Sequence, residues 1–212
     1  MIGDKLLITD YHRAGAAQAM EVIRTKLADG VTLAITVAGE SGSGKSETGH
    51  VIAQTLIAEG KRCILLGQDD YFVLPPRSNH QRRQEDISWV GLGEVRLDLL
   101  DEHLAKIKSR KGESFAKPLV YFEQNSIGEE SVEAAVFDVV VAEGTYTSAL
   151  EEADVRVFID RNYRQTKKSR LARGRDPDVA FLEQVLEIEH GIISQHKARA
   201  DVVIAPPPEE QP

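Results

Sequence analysis

The sequence predicts an α/β fold built on a mostly parallel sheet, and three observations carry that prediction. Between residues 31 and 205, short runs rich in Val, Ile and Leu alternate with segments of helical periodicity, the pattern of strand–helix–strand units. Those runs are apolar almost throughout rather than alternating, as strands covered on both faces are. A glycine-rich loop, GESGSGKS, joins the first run to the helix after it.

In chain order, residues 10–29 place Ala17, Met20, Ile23 and Leu27 at three- and four-residue spacing. They predict a helix that Asp10 starts and Gly30 ends. Residues 31–39 (VTLAITVAG) read as a buried strand, residues 43–60 as a helix ending at Gly60, and residues 62–67 (RCILLG) as a second strand. Residues 68–93 read as irregular, with Pro75, Pro76, Gly91 and Gly93 among them. Residues 94–109 carry an amphipathic pattern through Val95, Leu99, His103 and Ile107. Residues 116–122 are a short strand or one arm of a hairpin. Residues 136–144 and 154–160 are the third and fourth core strands. Residues 178–197 are a helix with Phe181, Val185, Ile188 and Ile192 on one face, and residues 201–205 are the last strand. The expected organisation is an N-terminal helical extension over 1–29, one domain over 30–206 and a flexible, proline-bearing tail over 207–212.

With 212 residues, the chain has the length of a single domain with a sizeable core. Its 26 basic and 34 acidic residues give a net charge of −8, which argues against a surface made to coat nucleic acid. No apolar run approaches the roughly 20 residues of a spanning helix, so no membrane partner is expected. The first residues lack the cationic and apolar stretches of a leader. The single cysteine, Cys63, allows no internal disulfide and fits a reducing, cytoplasmic setting. The histidines show no zinc-binding spacing, so no zinc site is expected.

The strongest signal is the loop Gly39, Glu40, Ser41, Gly42, Ser43, Gly44, Lys45, Ser46. It matches G-x-x-x-x-G-K-[ST] between a strand and a helix, the context in which that pattern cradles phosphates as a P-loop, or Walker A motif. Glycines permit a tight loop whose N–H groups turn inward, and the helix N-terminus attracts anions. Lys45 then reaches the β- and γ-phosphates of a nucleotide and the Ser46 hydroxyl binds Mg²⁺. Thr48, one turn along, belongs to the same nucleotide-binding set. With this loop the expected architecture becomes a P-loop NTPase-type three-layer fold, with ATP and Mg²⁺ as cofactors.

Two acidic sites stand directly after strands, where open α/β sheets bind ligands. Asp69 and Asp70 follow the second strand, together with Tyr71. One carboxylate accepts a proton from a substrate hydroxyl and the other holds Mg²⁺ through water, or the pair simply shapes an Asx turn. Glu143 follows the third strand, placed like a Walker B acid near the Mg²⁺ shell. Asp138 is a weaker candidate on the strand flank. Residues 161–175 contain Arg161, Arg164, Lys167, Lys168, Arg170, Arg173 and Arg175 and no acid. They read as an Arg-rich lid over about 161–176, in which guanidiniums neutralise the transferring phosphoryl group. A nucleic-acid patch and a solvated basic face are the alternatives. Trp89 either stacks on a substrate or seals an apolar edge, and Tyr121 either borders the acceptor site or packs in the core.

Taken together these segments resemble the uridine kinase / phosphoribulokinase group of P-loop kinases. GESGSGKS resembles the group's cradle, and QDDYF its Q-D-x-F-Y, whose first Asp, the catalytic carboxylate, corresponds to Asp69. KPLVYF resembles the element lining the acceptor site, corresponding to Tyr121. VVVAEGTY resembles the strand ending in Glu-Gly, corresponding to Glu143. RGRDPD and the segment through ADVVI resemble the Arg-rich lid, helix and closing strand. The resemblance covers residues 31 to 205. It implies ATP-dependent phosphoryl transfer to a hydroxyl of a small molecule. Asp69, Lys45, Glu143, Arg170 and Arg173 are the implied catalytic groups. Arg175 joins the loop in nucleotide binding, Asp70, Tyr71, Trp89 and Tyr121 meet the acceptor, and Ser46, Asp69 and Glu143 surround the metal. The chain departs from the group after QDDYF. The His-Pro pair of uridine kinases is missing, and so is the base-contacting histidine expected after YFE. The acceptor therefore stays open among nucleosides, sugars and sugar phosphates. A nucleotide-binding switch without kinase activity is the second reading. The helix over 1–29 lies outside the resemblance, and either covers a sheet edge or mediates homo-oligomerisation.

Overall fold

The computed structural model describes residues 6–112, 114–167, 170 and 179–208. Five strands form a parallel sheet: β1 (Leu33–Gly39), β2 (Cys63–Gly67), β5 (Val139–Gly144), β6 (Val155–Ile159) and β7 (Val202–Ile204). Their order across the sheet is β2-β5-β1-β6-β7, and every neighbouring pair is parallel. β1 is therefore central, flanked by the strands that later segments of the chain contribute. Its carboxyl end lies at the point where connections diverge to either side, which is where such sheets bind ligands.

The period-2 alternation of a strand divides the core into two layers. Leu33, Ile35 and Val37 of β1 and Val139 and Val141 of β5 face the helices α1 (Asp10–Lys26) and α2 (Lys45–Ala58). Ala34 and Ala38 of β1 and Val140 and Ala142 of β5 face the opposite layer. There they meet α4 (Leu97–Ser109) and the end of α5 (Val179–Ile193). Both faces of the sheet are covered, which is why its strands read as unbroken apolar runs.

Two elements, a helix over 76–85 and the buried face of α5, differ from the sequence expectation, and the hairpin arm expected over 116–122 is present. Residues 76–85 form a helix, α3 (Pro76–Glu85), inside the stretch expected to be irregular. Its sequence, PRSNHQRRQE, has no apolar stripe to signal it. Pro at its first position and Asn125 supply the start instead, since Asn125 Oδ1 accepts the Arg77 N–H at 2.7 Å. The segment over 116–122 is one arm of a full hairpin, β3 (Ser114–Tyr121) paired antiparallel with β4 (Ser126–Glu133). β4 is mostly polar and exposed, so it gave little pattern to find. The buried positions of α5 are Val185, Leu186, Glu189 and Ile193, one step round from the expected face. Its Phe181, Ile188 and Ile192 are half-buried.

The N-terminal helix lies flat on the sheet beside α2, with Ala16, Ala19, Met20 and Ile23 in the core. Its cap is Thr9 rather than Asp10, because the Thr9 N–H donates to His12 Nδ1 at 3.0 Å. Gly15 lets α1 pack closely here: a Cβ would stand 3.0 Å from the Ile204 side chain, which would have to give way slightly. Among the described residues no helix is long and apolar enough to cross a membrane.

Candidate nucleotide and acceptor site

The loop over 39–46 leaves the end of β1 and enters α2, as its sequence predicts. Gly44 takes φ +100°, a backbone state that side chains disfavour. A Cβ at Gly44 would also stand 2.5 Å from Nε2 of His12. Thus α1, outside the glycine-rich motif, packs an imidazole against the loop. The rest of the loop's outer surface is braced by the segment after β6. Thr166 Oγ1 donates to Ser41 O at 2.9 Å and Arg161 Nη1 to Ser43 O at 3.4 Å. The Arg170 stem lies over Gly42, where a Cβ would stand 2.7 Å from its Cγ. Arg161 also stacks on Tyr11 of α1, 5.3 Å from the ring centroid.

Glu40, expected among the nucleotide-binding residues, is buried and turned toward this brace. It accepts the Tyr163 N–H at 2.6 Å, and its other oxygen meets His190 Nδ1 at 2.6 Å. Thr48 is buried in the first turn of α2, its N–H bonded to Gly44 O. The described part of the basic segment is engaged with its surroundings: Arg164 and Lys167 pair with Glu187 and Glu183 of α5, and Arg170 Nη2 donates to Tyr163 O at 2.7 Å. Arg173 and Arg175, and with them most of the expected lid, lie outside the described residues.

The acidic strand ends meet the loop. β5 lies between β1 and β2, and Glu143 pairs in register with Val37 on one side and Gly67 on the other. Its Oε2 accepts the Ser46 hydroxyl at 2.8 Å. Burial pushes Glu143 up to about 7, against the pull of Lys45, with Asp69 adding to the rise. Lys45, Ser46, Asp69 and Glu143 therefore share one site. Asp69 is exposed at its mouth, and its side chain makes no hydrogen bond among the described residues. Asp138 sits at the opposite end of β5, tied to Arg62 and Arg110, and plays no part here. Ser46 and the two carboxylates present hard oxygen donors of the type Mg²⁺ takes. No group of three His, Cys, Asp or Glu side chains among the described residues is arranged to hold a metal alone.

Asp70 and Tyr71, expected at the acceptor, are both buried and engaged within the fold. Asp70 is buried and accepts from Lys117 Nζ at 3.2 Å and the Val120 N–H at 2.9 Å, pinning the β3–β4 hairpin to the end of β2. The 3₁₀ turn over Gln68–Tyr71 is the cause, because it rotates neighbouring side chains to different sides. Tyr71 is fully buried and shares a hydrogen bond of 2.9 Å with His103 Nδ1. Trp89 braces α3: its Nε1 donates to Asn79 Oδ1 at 2.8 Å and the Arg82 guanidinium lies over its ring. Tyr121 lies across Gly128 of the hairpin, half-buried. Cys63 is half-buried and its thiol is pushed up to about 12 by burial, so it is not a nucleophile at neutral pH.

Sequence reasoning missed a polar cluster beside the cradle. Glu94, fully buried, accepts Arg83 Nε and Nη2, Asn79 Nδ2 at 2.7 Å and the Gly91 N–H at 2.8 Å. Arg83 Nη2 also reaches Glu189 Oε1 at 3.3 Å. Burial pushes Glu189 up to about 6, with Arg83 and Lys45 opposing. The available signal was a carboxylate four residues after Val185 and four before Ile193, on the apolar face of α5.

Comparison with known proteins gives a consistent picture. A model of the Phosphoribulokinase / Uridine kinase family matches residues 34–209. The bifunctional alpha-galactosidase/sucrose kinase AgaSK of Mediterraneibacter gnavus is 27% identical over 184 residues, 80% of this chain but only 20% of that much longer protein. The uridine kinase of Bacillus pumilus is 28% identical over 187 residues, covering 80% of this chain and 84% of the relative. Among solved structures, phosphoribulokinase from Rhodobacter spheroides superposes with a TM-score of 0.63 at 12% identity, over 82% of this chain and 70% of that one. At that identity the likeness concerns the fold.

Proposed function

This chain belongs to the phosphoribulokinase / uridine kinase family, and we propose that it transfers a phosphoryl group from ATP to a hydroxyl of a small molecule. The observation that carries the reading is the Ser46–Glu143 hydrogen bond of 2.8 Å. It ties the phosphate cradle to the acidic end of β5, with Lys45 and Asp69 in electrostatic contact with the same carboxylate.

The geometry supports the following roles. The loop over 39–46 and the N-terminus of α2 bind the nucleotide phosphates, and Lys45 offsets their charge. Asp69 is exposed and accepts the proton of the attacking hydroxyl. Ser46, Glu143 and Asp69 hold Mg²⁺, which supplies neutralisation of charge on the transferring group. Burial of Glu143 disfavours its charged form, so a cation beside it restores the carboxylate. The brace formed by Arg161, Thr166 and Arg170 fixes the loop, and phosphoryl transfer depends mainly on such positioning and charge neutralisation. Arg170 contributes from the loop's flank, and Arg173 and Arg175 join it in neutralising the transferring group.

The test is transfer of label from γ-labelled ATP to a panel of nucleosides, sugars, sugar phosphates and other small alcohols. Acceptor-dependent formation of a labelled product supports the reading. Tight nucleotide binding with no transfer to any acceptor replaces it with a nucleotide-binding switch.

A further inference from the structure

Resting on the kinase reading above, we propose that Arg83, Tyr146 and Glu189 form the acceptor subsite, and that they select an uncharged polyhydroxy compound. The cluster adjoins the reacting groups. The Tyr146 N–H donates to Gln68 Oε1 at 2.6 Å, and Gln68 directly precedes Asp69. Tyr146 thus ties the turn bearing Asp69 to the loop that follows Glu143. Glu189 reaches in from α5, within electrostatic range of Lys45.

Glu94 is the anchor rather than a ligand, since each of its oxygens already accepts two bonds. It fixes Arg83 in one orientation. What remains unengaged points to a ligand. The Tyr146 hydroxyl is fully buried and makes no hydrogen bond among the described residues, whereas buried hydroxyls are almost always paired with protein, water or a ligand. It lies within electrostatic range of Arg83, Glu94 and Glu189. Glu189 Oε2 and Arg83 Nη1 also make no hydrogen bond among the described residues, and their side chains keep 10% and 16% exposure. One free acceptor, one free donor and one phenol that does both are the complement of a set of hydroxyl groups.

Charge selects against an anionic acceptor. Among the described residues, the guanidinium of Arg83 already faces two carboxylates, Glu94 and Glu189. Asp69 and Glu143 lie toward the cradle. A phosphate or carboxylate entering here would meet like charge in a poorly hydrated site, a strong basis for rejection. A hydroxyl instead satisfies groups that are otherwise left unpaired, which gives sharp discrimination.

The experiment compares uncharged sugars, polyols and nucleosides with their phosphate monoesters and carboxylate analogues, reading ADP release with ATP and Mg²⁺. KM for acceptor and for ATP are measured separately in the wild-type protein and in Tyr146→Phe and Glu189→Gln. The expected result is turnover with an uncharged polyhydroxy acceptor. Tyr146→Phe raises the acceptor KM about tenfold, the worth of one hydrogen bond, and leaves the ATP KM and thermal unfolding unchanged. Glu189→Gln raises the acceptor KM as well. Turnover confined to phosphorylated or carboxylated acceptors overturns the proposal, as does an unchanged acceptor KM in Tyr146→Phe. No acceptor-dependent ADP release from any compound, with ATP still bound, refutes the kinase reading itself and the proposal with it.

Discussion

Replacing Asp70 with alanine separates the two adjacent aspartates by role. Asp70 is 3% exposed and Lys117 is 4% exposed. Removing the carboxylate takes away the acceptor for Lys117 Nζ and for the Val120 N–H. Among the described residues Lys117 keeps the Pro118 carbonyl and the half-exposed Glu130, the latter at 2.8 Å. Breaking a buried pair from one side costs about 3–5 kcal/mol, because the remaining charge stays desolvated. Glu130 offsets part of this, so a loss of about 3 kcal/mol is expected. With a urea slope of about 2 kcal/mol per molar, the unfolding midpoint falls by roughly 1.5 M. Asp70→Asn keeps an acceptor for Val120 and loses less. Urea unfolding followed by circular dichroism measures both. A midpoint within about 0.3 M of wild type for Asp70→Ala would refute the anchoring role and return Asp70 to the list of candidate acceptor ligands.

Other predictions concern the loop and the core. Gly44→Ala forces a Cβ into a left-handed backbone position and onto the His12 imidazole; nucleotide affinity by calorimetry is expected to be lost, and His12→Ala in the same chain restores only part of it because the backbone strain remains. Lys45→Ala abolishes turnover while leaving the unfolding midpoint near wild type, since Lys45 is half-buried and forms no ion pair among the described residues. Burial holds His103 down at about 4 from an ordinary value of 6.5. The unfolded chain therefore takes up the proton first, and stability falls as pH drops from about 6.5 to about 4, by up to about 3 kcal/mol. The wild-type slope across that window is expected to flatten in His103→Gln, and equal slopes would contradict the assignment.

The parts of the molecule legible in the sequence are those whose signal is local. The strands around Val37, Leu65, Val141 and Val157 declare themselves because both faces of the sheet are covered. The loop over 39–46 declares itself because glycine spacing, lysine and hydroxyl all serve one ligand. Asp69 and Asp70 look alike in the sequence, because only the 3₁₀ turn leaves Asp69 exposed and Asp70 buried. α3 has no apolar stripe and owes its start to Asn125, 49 positions after Pro76. The Arg83–Glu94–Glu189 cluster joins residues 106 positions apart, and charged residues at such spacing look like ordinary surface until the fold buries them. The bracing of Gly44 by His12 also joins distant positions, and His12 lies outside the residues that the family model matches.

The central claim is that Asp69 serves the chemistry while the loop over 39–46 holds the nucleotide. Its most direct test is Asp69→Asn, with ATP affinity measured by calorimetry and acceptor-dependent ADP release measured in parallel. ATP affinity is expected close to wild type and turnover reduced by at least about a hundredfold, the usual worth of a general base. Full turnover in Asp69→Asn would contradict it.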